Sequence, residues 1–460
     1  MIDLEGELNL YSGTIELTGN WNIGYAVDVR PNAWGTEYTE PTTFHMYGGK
    51  LVSSDGAVRV ASSSSDSYEN ISAKFIMDGG EIDAAWDGIF IQQSNEVHDN
   101  LNVVINDGKI TSALSPIRLY GPVATDYVGN DEKPAKLTIN GGEFNLKGEA
   151  DESRIWLIKN LLIGAGGADA NWPNYAEIKF NAGTFSDTSV FNYLAADANV
   201  DIKLSADATV AATLNVPAAA AVNLDLNGHN LNYTVTNTGA SAIINNKGTL
   251  NLSNTSNEEA TISFVAESPD MQEIPSYATN TITNTGTLTI GKNVTVTNGS
   301  EGGASYAVDN HAFFTLDGGT LIGNRCALRV AKYNPAEVKF TMNSGLVQAA
   351  TPAWIQLPGS SATDAPKITV DIKGGIMKST KESSADNNVM YTYSFGNSHA
   401  NTIINISGGE FIGGTVSIGS GYKGDAPSLS ITGGTFDYNV LQWLENDEYK
   451  VLYEANADNQ

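Results

Sequence analysis

Short stretches in which every second residue is apolar recur along the whole chain. Each ends in a glycine-centred turn with another apolar residue just beyond it. Phe44-His45-Met46-Tyr47-Gly48-Gly49-Lys50-Leu51 is one copy and Phe75-Ile76-Met77-Asp78-Gly79-Gly80-Glu81-Ile82 is another. The same ending stands at Asn140-Gly141-Gly142-Glu143-Phe144, Leu316-Asp317-Gly318-Gly319-Thr320-Leu321, Ser407-Gly408-Gly409-Glu410-Phe411 and Thr432-Gly433-Gly434-Thr435-Phe436. Weaker copies keep a glycine at 108, 183, 228, 248, 286, 345 and 375. Period-two alternation turns every second side chain inward. A glycine at the corner permits a backbone conformation that other residues resist.

Equivalent glycines fall about 25–40 residues apart, the spacing of solenoid repeats. Stacking such units pairs their backbones and merges small apolar patches into one core. Long helical patterns are scarce. A β-sandwich also has many strands and glycine turns, but it does not need one similar unit throughout. The expected fold is therefore all-β, a single-stranded parallel β-helix solenoid. Ten or more glycine-centred turns read as structure rather than phosphate sites, since none precedes a helix in a nucleotide-binding pattern. Asp78 and Asp317 are expected to support their turns by bonding nearby backbone.

The solenoid is expected over residues 1–442, with a possible subdivision in the alanine-rich, charge-poor stretch near 206–221. Loops are expected at Ser62-Ser63-Ser64-Ser65, from Asn257 to Ala278, and at Lys381 to Asn388. Residues 443–460 read as a C-terminal cap and tail, with Trp443, Leu444, Tyr449, Val451 and Leu452 covering the last coil's edge.

Charge changes the list of partners. The formal net charge is -27, with 25 lysines and arginines in 460 residues and no basic tract. Nucleic acid and anionic membrane surfaces are thereby disfavoured. No apolar run is long enough for a transmembrane segment. No secretory apolar core opens the sequence, so its location is not expected to be readable from a targeting segment. Cys326 is the only cysteine. It excludes an intrachain disulfide and reads as a small buried residue.

The segments around Gly49, Gly80, Gly142, Gly319, Gly409 and Gly434 resemble the repeats of pectin-lyase-like right-handed β-helix proteins. Val222-Asn223-Leu224-Asp225-Leu226-Asn227-Gly228-His229-Asn230-Leu231 resembles strands in adhesin-like surface proteins of gut Bacteroidales. So does Gly433-Gly434-Thr435-Phe436 followed by Trp443-Leu444 and Tyr449-Lys450-Val451. The resemblance implies a right-handed coil and a secreted or outer-surface location. Its relatives include adhesin-like proteins and polysaccharide-processing enzymes. The active-site patterns of pectate lyases and polygalacturonases are not recognisable here, which lowers the enzyme reading.

A second class of strands follows several of the turns, and its outward positions are the candidate glycan-binding residues. Period-two geometry turns Phe90, Gln92, Arg118, Tyr120, Arg154 and Trp156 outward, and farther along Arg329, Trp354 and Gln356. Aromatic faces beside amide and guanidinium donors suit sugars, acidic ones above all. The expected partner is accordingly a polysaccharide or a host or microbial surface glycan, with a cell-surface protein as the alternative. Catalytic residues are not assignable. Asp78, Glu81, Asp107, Glu143 and Asp317 are too ordinary in so acidic a chain to mark a lyase or hydrolase. His45, His98, His229, His311 and His399 make no zinc spacing. No cofactor is expected. Calcium has only the Asp386-Asn387-Asn388 loop, which lacks the spacing of an EF-hand.

Overall fold

The computed structural model describes residues 1–4, 6–19, 24–30, 41–61, 72–92, 100–120, 135–147, 163–166, 176–235, 242–266, 280–299, 305–331, 337–357, 367–383, 387–394, 402–418, 428–438 and 440. The expected cap at 443–460 and the expected loop at 62–65 lie outside them. The chain forms two compact units, Met1–Ser205 with Ala220–Val222, and Ala206–Ala219 with Asn223–Gln460. Both are built as right-handed parallel β-helix. Among the described residues, no helix is long and apolar enough to cross a membrane.

A coil of the first unit shows how the repeat folds. Thr42–Met46 runs into the Gly48-Gly49 corner, Lys50–Ser53 follows, and Gly56–Ala61 completes the turn. The next coil repeats this as Ser72–Met77, Glu81–Ala84 and Asp87–Gln92. Pairing between coils is parallel and in register, Phe44 with Phe75, Leu51 with Ile82 and Val58 with Ile89. Alternation sends these residues inside, where all six are at most 1 % exposed. Like residues then stack: the Phe44 and Phe75 rings lie 5.2 Å apart, and Phe144 and Phe185 lie 5.1 Å apart. Each such ring contributes about 1.5–3 kcal/mol through burial.

The corner glycines answer two demands. Gly80 has φ +94°, and a Cβ there would stand 2.7 Å from the Gly49 carbonyl oxygen. Conformation and close approach of the neighbouring coil therefore both exclude a side chain. Asp78 departs from its expected role. Its carboxylate accepts from His45 Nε2 and Asn106 Nδ2, each at 2.7 Å, so it joins coils instead of closing its own turn. The row continues through Asn140 to Asn106 at 2.8 Å and Asn181 to Asn140 at 2.7 Å. Those hydrogen bonds hold Asp78 below the usual carboxylate range.

In the second unit, eight described strands from Leu214–Val216 to Thr415–Ile418 make one parallel sheet. Its inner edge carries a buried amide ladder. Asn246 Nδ2 donates to Asn284 Oδ1 at 2.8 Å, and Asn284 Nδ2 donates to Asn310 Oδ1 at 2.7 Å. All three side chains are fully buried; their Nδ2 groups donate along the ladder and to the Thr287, Phe313 and Lys339 carbonyls, while Asn246 Oδ1, at the start of the ladder, is left without a hydrogen-bond partner.

Candidate functional site

The described strands that carry candidate residues lie in one sheet of each unit. In the first unit the outward row reads Asp28, Arg59, Phe90, Arg118 on four successive coils. In the second it reads Asp309, Arg329, Trp354, Tyr391. A parallel in-register sheet sets such neighbours about 4.8 Å apart, close enough for guanidinium, carboxylate and ring to touch.

In the first row Asp28 is 1 % exposed. Arg59 Nε donates to its Oδ1 at 2.8 Å, and Arg59 Nη2 donates to its Oδ2. Arg30, two residues on from Asp28, places Nη2 3.8 Å from the same carboxylate while staying 45 % exposed. The Arg59 guanidinium lies over the Tyr25 ring at 5.5 Å, and Tyr25 stacks on Phe90 at 5.5 Å and 5°. Arg118 covers Phe90 at 4.9 Å and reaches Asp87 with Nη1 at 3.1 Å. Asp87 is fully buried. Burial pushes its carboxyl up to about 6, Arg118 opposes this, and Asp55 adds to it. Burial likewise pushes the Tyr25 hydroxyl well above its ordinary value.

The second row repeats the arrangement. Arg329 Nε lies 2.7 Å from Asp309 Oδ1, and Nη2 lies 2.5 Å from Oδ2. His311, two residues on from Asp309, brings Nε2 to 3.0 Å from Oδ1, while its Nδ1 faces the Ala331 carbonyl at 3.0 Å. Burial works to raise the Asp309 carboxyl, but hydrogen bonds from His311 and Arg329 outweigh it and hold it below the usual range. The Arg329 guanidinium lies over Tyr306 at 4.7 Å, and Tyr306 meets Trp354 edge-on at 6.2 Å. Arg325, an exposed residue, covers Trp354 at 4.9 Å. Gln356 Oε1 accepts from Arg329 Nη1 at 3.3 Å.

The expected residues fare differently. Trp354 and Gln356 are half-buried, and so is Gln92. Phe90 is corrected. It stands on the side opposite to Ile89 and Ile91, yet is only 8 % exposed, because Tyr25 and Arg118 lie over it. Arg118 and Arg329 are also largely covered, at 12 % and 15 %, each spent on a buried aspartate. The strand position of Tyr120 pairs with Gln92, but its side chain lies outside the described residues. Arg154 and Trp156 lie outside them altogether, so the expected Arg118–Trp156 grouping has no described geometry.

Sequence reasoning missed Tyr25, Asp28, Arg30 and Arg59, and with them Tyr306, Asp309, His311 and Arg325. It also missed an exposed aromatic stack at a corner of the first unit, where Tyr11 is 67 % and Tyr47 42 % exposed with rings 4.7 Å apart. Arginine distribution was the available signal. The chain has six arginines, at 30, 59, 118, 154, 325 and 329. The five that are described all stand on or beside these two rows.

Among the described residues no group of three or more His, Cys, Asp or Glu is placed to hold a metal. Of the suggested calcium loop, Asp386 lies outside the described residues, and Asn387 donates its amide to the Glu382 and Gly413 carbonyls. Cys326 is buried, with its thiol pushed upward by that burial. No family model matches the chain, and neither a curated protein nor a solved structure matches it.

Proposed function

We propose that this chain is an extracellular or cell-surface adhesin-like protein that binds glycans on the outward faces of its arginine-bearing strands. The observation that carries this reading is the placement of the arginines in a strongly acidic chain. All five described arginines gather at two aromatic rows, while the protein as a whole carries a net charge of -27. Trp354 supplies an apolar face, Gln356 an oriented amide and Arg325 an exposed cation within one patch. That combination suits a sugar bearing a carboxylate or sulfate. The buried Asp–Arg pairs beneath hold the rings and guanidiniums in place before any ligand arrives, which lowers the ordering cost of binding.

A second reading, cleavage of a polysaccharide, draws on Asp87. A carboxyl that titrates near 6 suits a general acid. Its complete burial gives a substrate no contact with it, so binding is the preferred reading.

The deciding experiment incubates the purified protein with a panel of host and microbial polysaccharides, with calcium and without it. Retention and product formation are measured together. Retention without shorter or unsaturated products is the expected result. New products would transfer the assignment to an enzyme, and neither signal would overturn glycan binding in favour of a structural or protein-binding role.

A further inference from the structure

The two rows are copies of one another in sequence as well as in space. Tyr25-Ala26-Val27-Asp28 in the first unit matches Tyr306-Ala307-Val308-Asp309 in the second. One coil on, Ala57-Val58-Arg59-Val60-Ala61 matches Ala327-Leu328-Arg329-Val330-Ala331. A further coil on, Phe90-Ile91-Gln92 occupies the register of Trp354-Ile355-Gln356. The basic residue two places after each aspartate is Arg30 in one copy and His311 in the other, and both approach that aspartate. Each aromatic ring is covered by a second guanidinium at 4.9 Å, from Arg118 in one unit and from Arg325 in the other.

Core packing accounts for the shared alanines, valines and isoleucines. It does not require the outward positions to agree. Lower in the second unit's sheet, the position of Asp309 is filled by Asn215, Asn245 and Thr283, with no arginine among them. The set of tyrosine, aspartate, arginine, aromatic ring and glutamine therefore belongs to these two places and not to the coil as such.

We infer that the chain carries two related ligand sites, one in each unit, which share the tyrosine, aspartate, arginine, ring and glutamine frame but draw their exposed arginine from different positions, and that each takes one acidic sugar segment on that arginine and its glutamine. This inference rests on the glycan-binding reading above. In the first unit the accessible groups are Arg30 and Gln92; in the second they are Arg325, Trp354 and Gln356. The Asp–Arg pairs are positioning groups, and the ligand's anionic group meets the cation that remains exposed.

The test is a calorimetric titration of the whole chain with short oligomers of polygalacturonate, alginate and chondroitin sulfate, with a maltooligosaccharide as the neutral probe. Three variants are compared with the wild type: Arg30→Ala with Gln92→Ala, Arg325→Ala with Gln356→Ala, and all four together. These side chains are exposed or half-buried, and an unchanged circular dichroism spectrum verifies folding. The expected result is two sites per chain for at least one acidic oligomer, one site in each paired variant, none in the combined variant, and no binding of the neutral probe. One site in the wild type, or a paired variant that keeps both, overturns the duplication while leaving glycan binding intact. No heat with any acidic oligomer overturns the glycan reading, and the duplicated site falls with it.

Discussion

Arg329 closes a two-point bond on Asp309 from the adjacent coil, with Nε at 2.7 Å and Nη2 at 2.5 Å from the two carboxylate oxygens. Asp309 is 3 % exposed at its side chain and Arg329 15 %, so water contributes little to either charge. Removing one partner of a buried pair costs more than the pair is worth, because the other charge stays behind. Arg329→Ala is expected to destabilise the second unit by about 3–5 kcal/mol, moderated by the remaining His311 contact. Arg329→Met with Asp309→Asn is expected to cost less than the sum of the two single changes. A double-mutant cycle in urea measures this; additive costs would mean that the pair is not coupled.

Gly6 and Gly345 separate two reasons for a corner glycine. Their φ values are nearly equal, +106° and +107°. A Cβ on Gly6 meets nothing within 4 Å, whereas on Gly345 it would stand 2.1 Å from the Gly319 carbonyl oxygen. Gly6→Ala is expected to cost the conformational strain alone, about 1–3 kcal/mol. Gly345→Ala is expected to cost distinctly more, since backbone must move as well. Equal shifts of the urea midpoint would show that close approach of the coils adds nothing.

These glycines explain why the fold was legible and the site less so. A glycine turn after alternating apolar residues reports a local necessity, and it recurs along the chain either as a glycine pair or as a single glycine, so the β-helix follows from the chain alone. Alternation also assigned Phe90 to the face opposite Ile89 and Ile91. It carried no information on what covers that face, because Tyr25 and Arg118 arrive from other coils. Trp354 stays half-buried under the same pattern. The repeated Tyr-Ala-Val-Asp of 25–28 and 306–309 was visible, but its meaning depended on knowing that the arginines at 59 and 329 stand one coil farther on. Loop lengths, which alternation does not constrain, decide that.

Asn284 occupies the middle of the buried amide ladder, giving to Asn310 and receiving from Asn246. It also donates to the Phe313 carbonyl at 2.9 Å. Asn284→Ala is expected to cost about 1–3 kcal/mol for each buried group left without a partner. Asn251, whose amide donates to Asn223 on an exposed row, provides the comparison. Asn251→Ala is expected to stay within about 0.5 kcal/mol of the wild type. Amide hydrogen exchange resolves the two: faster exchange across 282–310 in the first variant and unchanged rates in the second. Similar effects from both would remove the case for a special role of the buried ladder.

Asp87 should make the first unit lose stability as pH rises, opposite to the usual behaviour of a carboxylate. Its folded value, about 6, lies above the ordinary aspartate value of about 3.9. Between those values the folded chain holds a proton that the unfolded chain releases. The contribution is fully present below about pH 4 and disappears as pH passes about 6. Asp78, Glu143, Glu177, Asp309 and Asp371 are held low instead, so their contributions fade only on stronger acidification. Asp87→Asn keeps an acceptor for Arg118 and removes the titration. Urea unfolding at about pH 4.5 and about pH 7.5 compares the two proteins across this window. The wild type is expected to gain on the variant at the lower pH and to lose that advantage at the higher one. Parallel pH profiles would mean that Asp87 is ionised throughout and that Arg118 overcomes the burial.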